Sequence, residues 1–453
     1  MYTFVGTLLV LGVAVLVHEL GHFLIARRNG VRVEEFCIGF PPRIFKIKRG
    51  DTQYSVGIIP IGGFVKMAGE DPEAVQGMPD EFFSQSVPVR IRIALAGPFG
   101  NFVCAYLCIL LFLWTGGVQE MLYPPVLGTS STPGVYEKIG VAAGDRIISV
   151  RGQVPETFSD VLERIQSPDS WPAELVFQRD SAGVPVTISL DSSQAAQFID
   201  AAYPMVDPVV SKVMEEGPAA RAGIQSGDRI VEINDTPISE WNQLQRLISA
   251  SAGETLALGI VRSGARLSIT IVPDALRQQN HTGDVEKVGR IGIQPAVRTE
   301  SHRYGFLDGL WAGAKMVVGF IRLFFGVLWH LVTGGLSYKL LGGPVGIAQV
   351  AGESLKQGSS QFLMFLSVIN ANLGFVNLLP FFLVTDGGLI FLFGIEAVRR
   401  RKMSIKGLER WNKVGWMMVM SLLIMATWND LMIRLDLGEK ISRAISKVHG
   451  IFG

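Results

Sequence analysis

His18, Glu19, Leu20, Gly21 and His22 form an H-E-x-x-H pattern inside an apolar run from Phe4 to Ala26. On a helix, residues four apart share a face, so His18 and His22 can present two imidazole nitrogens to one metal ion, with Glu19 one position round. That combination is a zinc hydrolase signature, with the acid as general base. Its setting sharpens the reading, because ionisable side chains in a stretch long enough to cross a bilayer are costly there and mark chemistry. The charge order does not suit a cleaved leader: Arg27 and Arg28 follow the run, and no basic residue lies between Met1 and Val17.

Zinc hydrolases hold the ion with three protein ligands and leave a fourth position open. Asp386 is the natural third, at a Thr385, Asp386, Gly387, Gly388 break within an apolar run. Glycines there let backbones approach closely. The same aspartate could instead cap a helix. His330 is a weaker ligand candidate, on a segment expected to lie along the membrane surface.

The elements that position these residues follow from composition and charge. The chain has 453 residues, 48% hydrophobic and 18% charged, with a net charge of +1. This suits a mixed membrane and globular protein, and no basic and aromatic pattern suggests nucleic-acid binding. Cys37 falls in a polar loop, and Cys104 and Cys108 in an apolar run, so no disulfide framework is expected. Spans are expected at Phe4 to Ala26, Ile93 to Thr115, Phe362 to Ile395 and Val414 to Ile433. Basic residues crowd the loop from Arg27 to Arg92 and the stretch from Arg399 to Arg410, which places both on the cytoplasmic side. An even number of spans must separate them. Leu310 to Val332, interrupted by Lys315, Arg322 and His330, is therefore expected to lie on the membrane as an interfacial helix.

The region outside contains a duplication. Gly140 to Ile148 reads against Gly223 to Val231 at an offset of 83 residues, each copy followed by a strand, a turn and a helix-like stretch. The Gly-Asp-Arg-Ile element looks like that of tandem PDZ domains, folds that bind extended peptides by strand addition. Between the first two spans, alternation in Tyr54 to Met67 around Gly62 and Gly63 predicts a hairpin. With Phe64 it would offer a substrate an unpaired strand edge beside the metal.

These features together resemble the bacterial site-2 proteases, intramembrane zinc metalloproteases of the M50 family, of the regulator-of-sigma-E protease type with tandem PDZ domains. The matching motifs are H-E-L-G-H; Gly62, Gly63 and Phe64; Gly97 to Asn101; the duplicated region; Gly342 to Gly346; and Asn377 to Pro380 before Asp386. The resemblance implies one Zn2+ per chain on His18, His22 and Asp386, with Glu19 as catalytic base and Asn372 and Asn377 holding the substrate strand. One departure stands out: the family's Asn-x-x-Pro-x-Pro-x-Leu-Asp-Gly-Gly runs one residue longer here, with Thr385 before the aspartate.

The expected architecture is a multi-domain membrane protein. Its α-helical protease core of four spans carries two α+β PDZ domains between spans 2 and 3. The boundaries are 1–115 for the first half of the core, 121–200 and 204–290 for the PDZ domains, and 305–335 for the interfacial helix. The second half of the core is 360–435, and the tail is 436–453. The implied function is cleavage of single-span membrane proteins, such as trimmed anti-sigma factors and signal-peptide remnants, in regulated intramembrane proteolysis. Expected partners are those substrates, peptides or substrate external segments at the PDZ domains, and the lipid bilayer. The implied location is the bacterial inner membrane, multi-pass, with the active site near the cytoplasmic side and the PDZ domains periplasmic. The alternative is a degenerate membrane adaptor that binds client peptides without cutting them, favoured only by the altered segment before Asp386.

Overall fold

A computed structural model describes residues 1–434 apart from 72, 74, 168–170, 180–182, 280–284, 338–341, 381–384 and 402–404. The expected tail at 436–453 and the residues Phe381 to Val384 lie outside the described residues. The chain divides into two compact units, Met1–Val118 with Arg303–Gly453, and Gln119–Asn280 with Val285–His302.

The first unit opens with α1 (Tyr2–Arg28), which carries H-E-x-x-H in its second half. Strands β1 (Val33–Arg49) and β2 (Thr52–Met67) follow, then α2 (Val87–Thr115). β1 and β2 turn at Gly50 and pair from Arg49 opposite Thr52 to Arg43 opposite Gly57. The first half of β1 then pairs twice, so that Phe36 stands opposite both Tyr54 and Val65. Tyr54 to Met67 therefore reverses direction as expected, but its two arms do not pair with each other. β1 lies between them, and Gly63 to Met67 forms an edge. Cys37 is fully buried in β1 and not in a polar loop; its thiol donates to the Gly39 carbonyl. The neighbouring Glu35 accepts from Nε and Nη2 of Arg43 at 2.6 and 2.7 Å and from the Ser55 hydroxyl at 2.6 Å. The Arg43 hydrogen bonds hold the Glu35 carboxyl below its ordinary range.

The second unit contains the duplication as structure. It begins with β3 (Val118–Leu122), α3 (Val135–Ile139), β4 (Arg146–Val150), α4 (Phe158–Gln166), β5 (Ala173–Gln178), β6 (Val186–Leu190) and α5 (Ser192–Ala201). It continues with β7 (Val210–Val213), α6 (Pro218–Arg221), β8 (Arg229–Ile233), β9 (Thr236–Pro237), α7 (Trp241–Ala250), β10 (Leu256–Arg262) and β11 (Ala265–Ile271). β12 (Asp274–Gln279), β13 (Val285–Arg290), β14 (Ile293–Pro295) and β15 (Arg298–His302) complete it. β4, α4 and β5 each begin 83 residues before β8, α7 and β10. The sheets β4-β5-β6 and β11-β10-β8-β9 each close over a separate apolar core. The repeat extends to an ion pair: Asp145 takes Arg179 at 2.8 Å, and Asp228 takes Arg262 at 2.7 Å. Gly144 and Gly227, one residue before each aspartate, both have φ near 92°, where a side chain would be strained.

The chain returns to the first unit as α8 (Phe306–Val332), α9 (Pro344–Gln357), α10 (Ser359–Leu378), α11 (Asp386–Arg399) and α12 (Ile405–Arg434). Five helices among the described residues are long and apolar enough to cross a membrane: α1, α2, α8, α10 and α12. Leu310 to Val332, expected to lie along the membrane surface, falls within the unbroken 27-residue helix α8, which by length and composition is also a candidate span. The apolar run Phe362 to Ile395 is not one helix. Pro380 forces the residue before it out of the helical region, and Leu379 accordingly sits at φ −69°, ψ 126°, ending α10. Buried Asp430 of α12 accepts the Gly346 amide at 2.8 Å and so satisfies one open donor at the start of α9.

Candidate metal centre

α1 places His18 and His22 one turn apart, and α11 begins at Asp386, with Thr385 as its extended N-cap. An acid in the first turn of a helix is favoured by the helix dipole. The three side chains converge. His18 Nε2 and His22 Nε2 are 3.2 Å apart, His18 Nε2 lies 3.2 Å from Asp386 Oδ2, and His22 Nε2 lies 3.4 Å from Asp386 Oδ1. A tetrahedral zinc ion with bonds near 2.0–2.1 Å needs ligand atoms about 3.3–3.4 Å apart. The triangle fits that requirement.

The other ring nitrogens fix the tautomers. His22 Nδ1 lies 2.8 Å from the Ile93 carbonyl, which can only accept, so Nδ1 carries the proton. His18 Nδ1 lies 2.8 Å from Asn101 Oδ1. The amide of Asn101 cannot be turned the other way, because its Nδ2 donates to the Ala14 carbonyl at 2.8 Å and to Asn370 Oδ1 at 3.0 Å. Asn370 in turn donates to the Leu366 carbonyl at 2.9 Å. Both asparagines are fully buried. Each imidazole thus directs an Nε2 lone pair into the triangle, and the outer partners hold the rings as metal sites require.

Close backbone contacts set the spacing. A Cβ on Gly97 would overlap His22 Nε2 and lie 2.8 Å from His18 Cε1, and one on Gly21 would overlap the Ala96 carbonyl. A Cβ on Gly387 would meet the Leu378 carbonyl, which brings the start of α11 against the end of α10. α11 is tied to α2 by Arg90, whose guanidinium donates to both oxygens of Glu396 at 2.6 and 3.0 Å. The same guanidinium stacks 4.6 Å from the centre of the Phe393 ring.

The triangle opens into a cavity of about 550 Å³ that Glu19, Phe64, Val65, Met67, Glu70 and Thr385 help to line. Gly63 packs against α1 at Glu19, where a Cβ would sit 3.4 Å from Glu19 Cγ. Among the sequence-derived candidates, His18, Glu19, His22, Phe64 and Asp386 meet at this cavity. Asn372 and Asn377 are half-buried on α10 and are not among its lining residues. His330 is not part of the donor cluster. Asn101 closes the Gly97 to Asn101 motif and Asn370 belongs to none of the sequence motifs, yet Asn101, braced by Asn370, orients His18. The extra residue before Asp386 does not keep it from the histidines.

Two imidazoles and a carboxylate at tetrahedral spacing, beside a glutamate and among apolar helices, define a metal-dependent hydrolase of membrane type. The chain belongs to peptidase family M50, whose model matches residues 6–422. It is 30% identical to the regulator of sigma-E protease RseP of Escherichia coli, over 93% of this chain and 96% of that one. It is 29% identical to the zinc metalloprotease RasP of Geobacillus kaustophilus, over 94% and 97%. A putative zinc metalloprotease of Vibrio cholerae is 30% identical over 95% and 98%. The chain is a zinc metalloprotease with membrane helices.

Proposed function

We propose that this chain is an intramembrane endopeptidase that cuts single-span membrane proteins, with zinc on His18, His22 and Asp386. The observation that carries the reading is the triangle of donor atoms beside Glu19 within apolar helices. Zinc in such a site supplies Lewis acidity toward water and toward a peptide carbonyl. Glu19 takes the proton of the attacking water and returns it to the leaving amine as the C–N bond breaks. Asn101 and the Ile93 carbonyl hold the Nδ1 proton of each imidazole, which leaves Nε2 as the nitrogen turned toward the metal position.

A transmembrane helix buries its carbonyls in hydrogen bonds and must be unwound before attack. The arm from Gly63 to Met67 has β1 on one side only, and Phe64, Val65 and Met67 reach the cavity. Its free edge supports strand addition by the unwound substrate, with Gly62 and Gly63 at the turn. By resemblance, Asn372 and Asn377 hold the far side of that strand. The two copies in the second unit are read as PDZ domains that test a substrate's external segment. The basic stretches at Arg27 to Arg92 and Arg399 to Arg410 put the metal near the cytoplasmic side of a bacterial inner membrane. Trimmed anti-sigma factors and signal-peptide remnants are the substrate class, in line with the word sigma-E in the names of relatives.

The test is Glu19→Gln in the full chain. Zinc content at one ion per chain with no cleavage of a model single-span substrate is the expected result. Full cleavage by that variant would overturn the assignment of Glu19.

A further inference from the structure

On the face of α1 and α2 turned away from the triangle runs a groove of about 840 Å³, within the range of about 300–1,000 Å³ for small-molecule sites. Its walls are apolar and largely exposed: Leu20 and Leu24 from α1, and Leu95, Phe99, Val103 and Leu107 from α2. At one end stand Arg28, in the last turn of α1, and Arg92, near the start of α2. Both are exposed, and among the described residues neither has a carboxylate partner. Arg92 makes one hydrogen bond, to the Pro88 carbonyl at 3.3 Å.

From Arg92 to Leu107 a helix rises about 22 Å, whereas half of a bilayer's hydrocarbon core is about 15 Å. The groove therefore accommodates an acyl chain of one leaflet, with the two guanidinium groups at headgroup depth. We propose that it binds one anionic phospholipid, the phosphate on Arg28 and Arg92 and an acyl chain along the leucines and Phe99. Charge complementarity selects this occupant, with cations at one end only and hydrocarbon elsewhere. An extended peptide would leave its backbone polar groups unsatisfied against such walls. The site has a route to the chemistry, since Gly21 and Ala96 in the groove floor are where α1 and α2 touch, directly behind His22 and Gly97.

The experiment is native mass spectrometry of the full-length protein in detergent. It is titrated with phosphatidylglycerol, with phosphatidylcholine of the same chains, or with inorganic phosphate. Two arginines near the surface give about a tenfold to thirtyfold preference for phosphatidylglycerol. The Arg28→Gln/Arg92→Gln variant should lose that preference. Leu24→Trp, which fills the groove and keeps both arginines, should lose retained lipid. Zinc content, measured in parallel, should stay unchanged in both variants and so separates this proposal from that of the metal site. Equal retention of the two lipids by wild type would overturn the proposal. So would competition by inorganic phosphate, one-for-one displacement by a single-span substrate peptide, or a preference that survives both variants.

Discussion

Replacing Asn101 with alanine removes three hydrogen bonds at once: to His18 Nδ1, to the Ala14 carbonyl and to Asn370. At about 1 kcal/mol net for each bond, the folded chain loses about 3 kcal/mol, a large share of the 5–15 kcal/mol typical of a domain. The local effect is separable from this. His18 keeps its proton on Nδ1 only because Asn101 accepts it, so the alanine variant frees the ring to rotate and to exchange tautomers. Outer partners of metal-bound histidines are typically worth 10–100-fold in affinity, or about 1.4–2.7 kcal/mol. Zinc affinity measured by competition with a chromophoric chelator should fall by that factor. Asn101→Asp restores the acceptor but sets oxygen against the Ala14 and Asn370 oxygens. It should be the less stable variant and still hold zinc better than Asn101→Ala. Asn370→Ala removes its bonds to Asn101 and to the Leu366 carbonyl but leaves Asn101 held by His18 and the Ala14 carbonyl, and should leave affinity within a few-fold of wild type. If Asn101→Ala binds zinc within about twofold of wild type, the tautomer argument is wrong.

Gly97→Ala drives a methyl group into both imidazoles, so zinc affinity and cleavage should fall at least about tenfold while far-ultraviolet circular dichroism is retained; normal zinc content would refute the close approach. Arg90→Ala leaves Glu396 unpaired and should cost about 3–5 kcal/mol, and adding Glu396→Ala should recover part of this in a double-mutant cycle. Purely additive losses would show that the pair does not couple α2 to α11. Arg179 and the Ala142 amide hold the Asp145 carboxyl below its ordinary value. The stability this confers is fully present above about pH 3.9 and is lost as pH falls through the lowered folded value. Hydrogen exchange in the second unit should therefore accelerate in that acid window, with a smaller pH dependence in Asp145→Asn; equal slopes would exclude the linkage.

The histidines were legible because their relation is local: a four-residue spacing on a helix carries the geometry with it. Asp386 was legible as the acid in an apolar run, and the glycines beside it told of close backbone approach. The duplication could be read because each copy repeats its turn glycines at a fixed offset. Asn101 escaped as a functional residue because its value lies in how α2 crosses α1, which no spacing encodes. The double pairing of β1 was hidden for a different reason. Glu35 interrupts the apolar alternation of Val33 to Ile38, and only the structure reveals that Arg43 and Ser55 let this acid be buried in a sheet. The apolar run at α10 and α11 looked continuous because hydropathy averages across Pro380, whereas the backbone breaks there.

The triangle is also a clock. His22 and Asp386 are 364 residues apart in the chain, and synthesis at about 5–20 residues per second puts roughly 20–70 s between them. Through that interval the nascent protein holds the histidines and the glutamate without their third partner. A protease that could cut neighbouring helices while still emerging from the ribosome would be hazardous to the membrane receiving it. Placing the completing ligand after both copies of the duplicated unit means that the whole second unit has been made before the enzyme is armed.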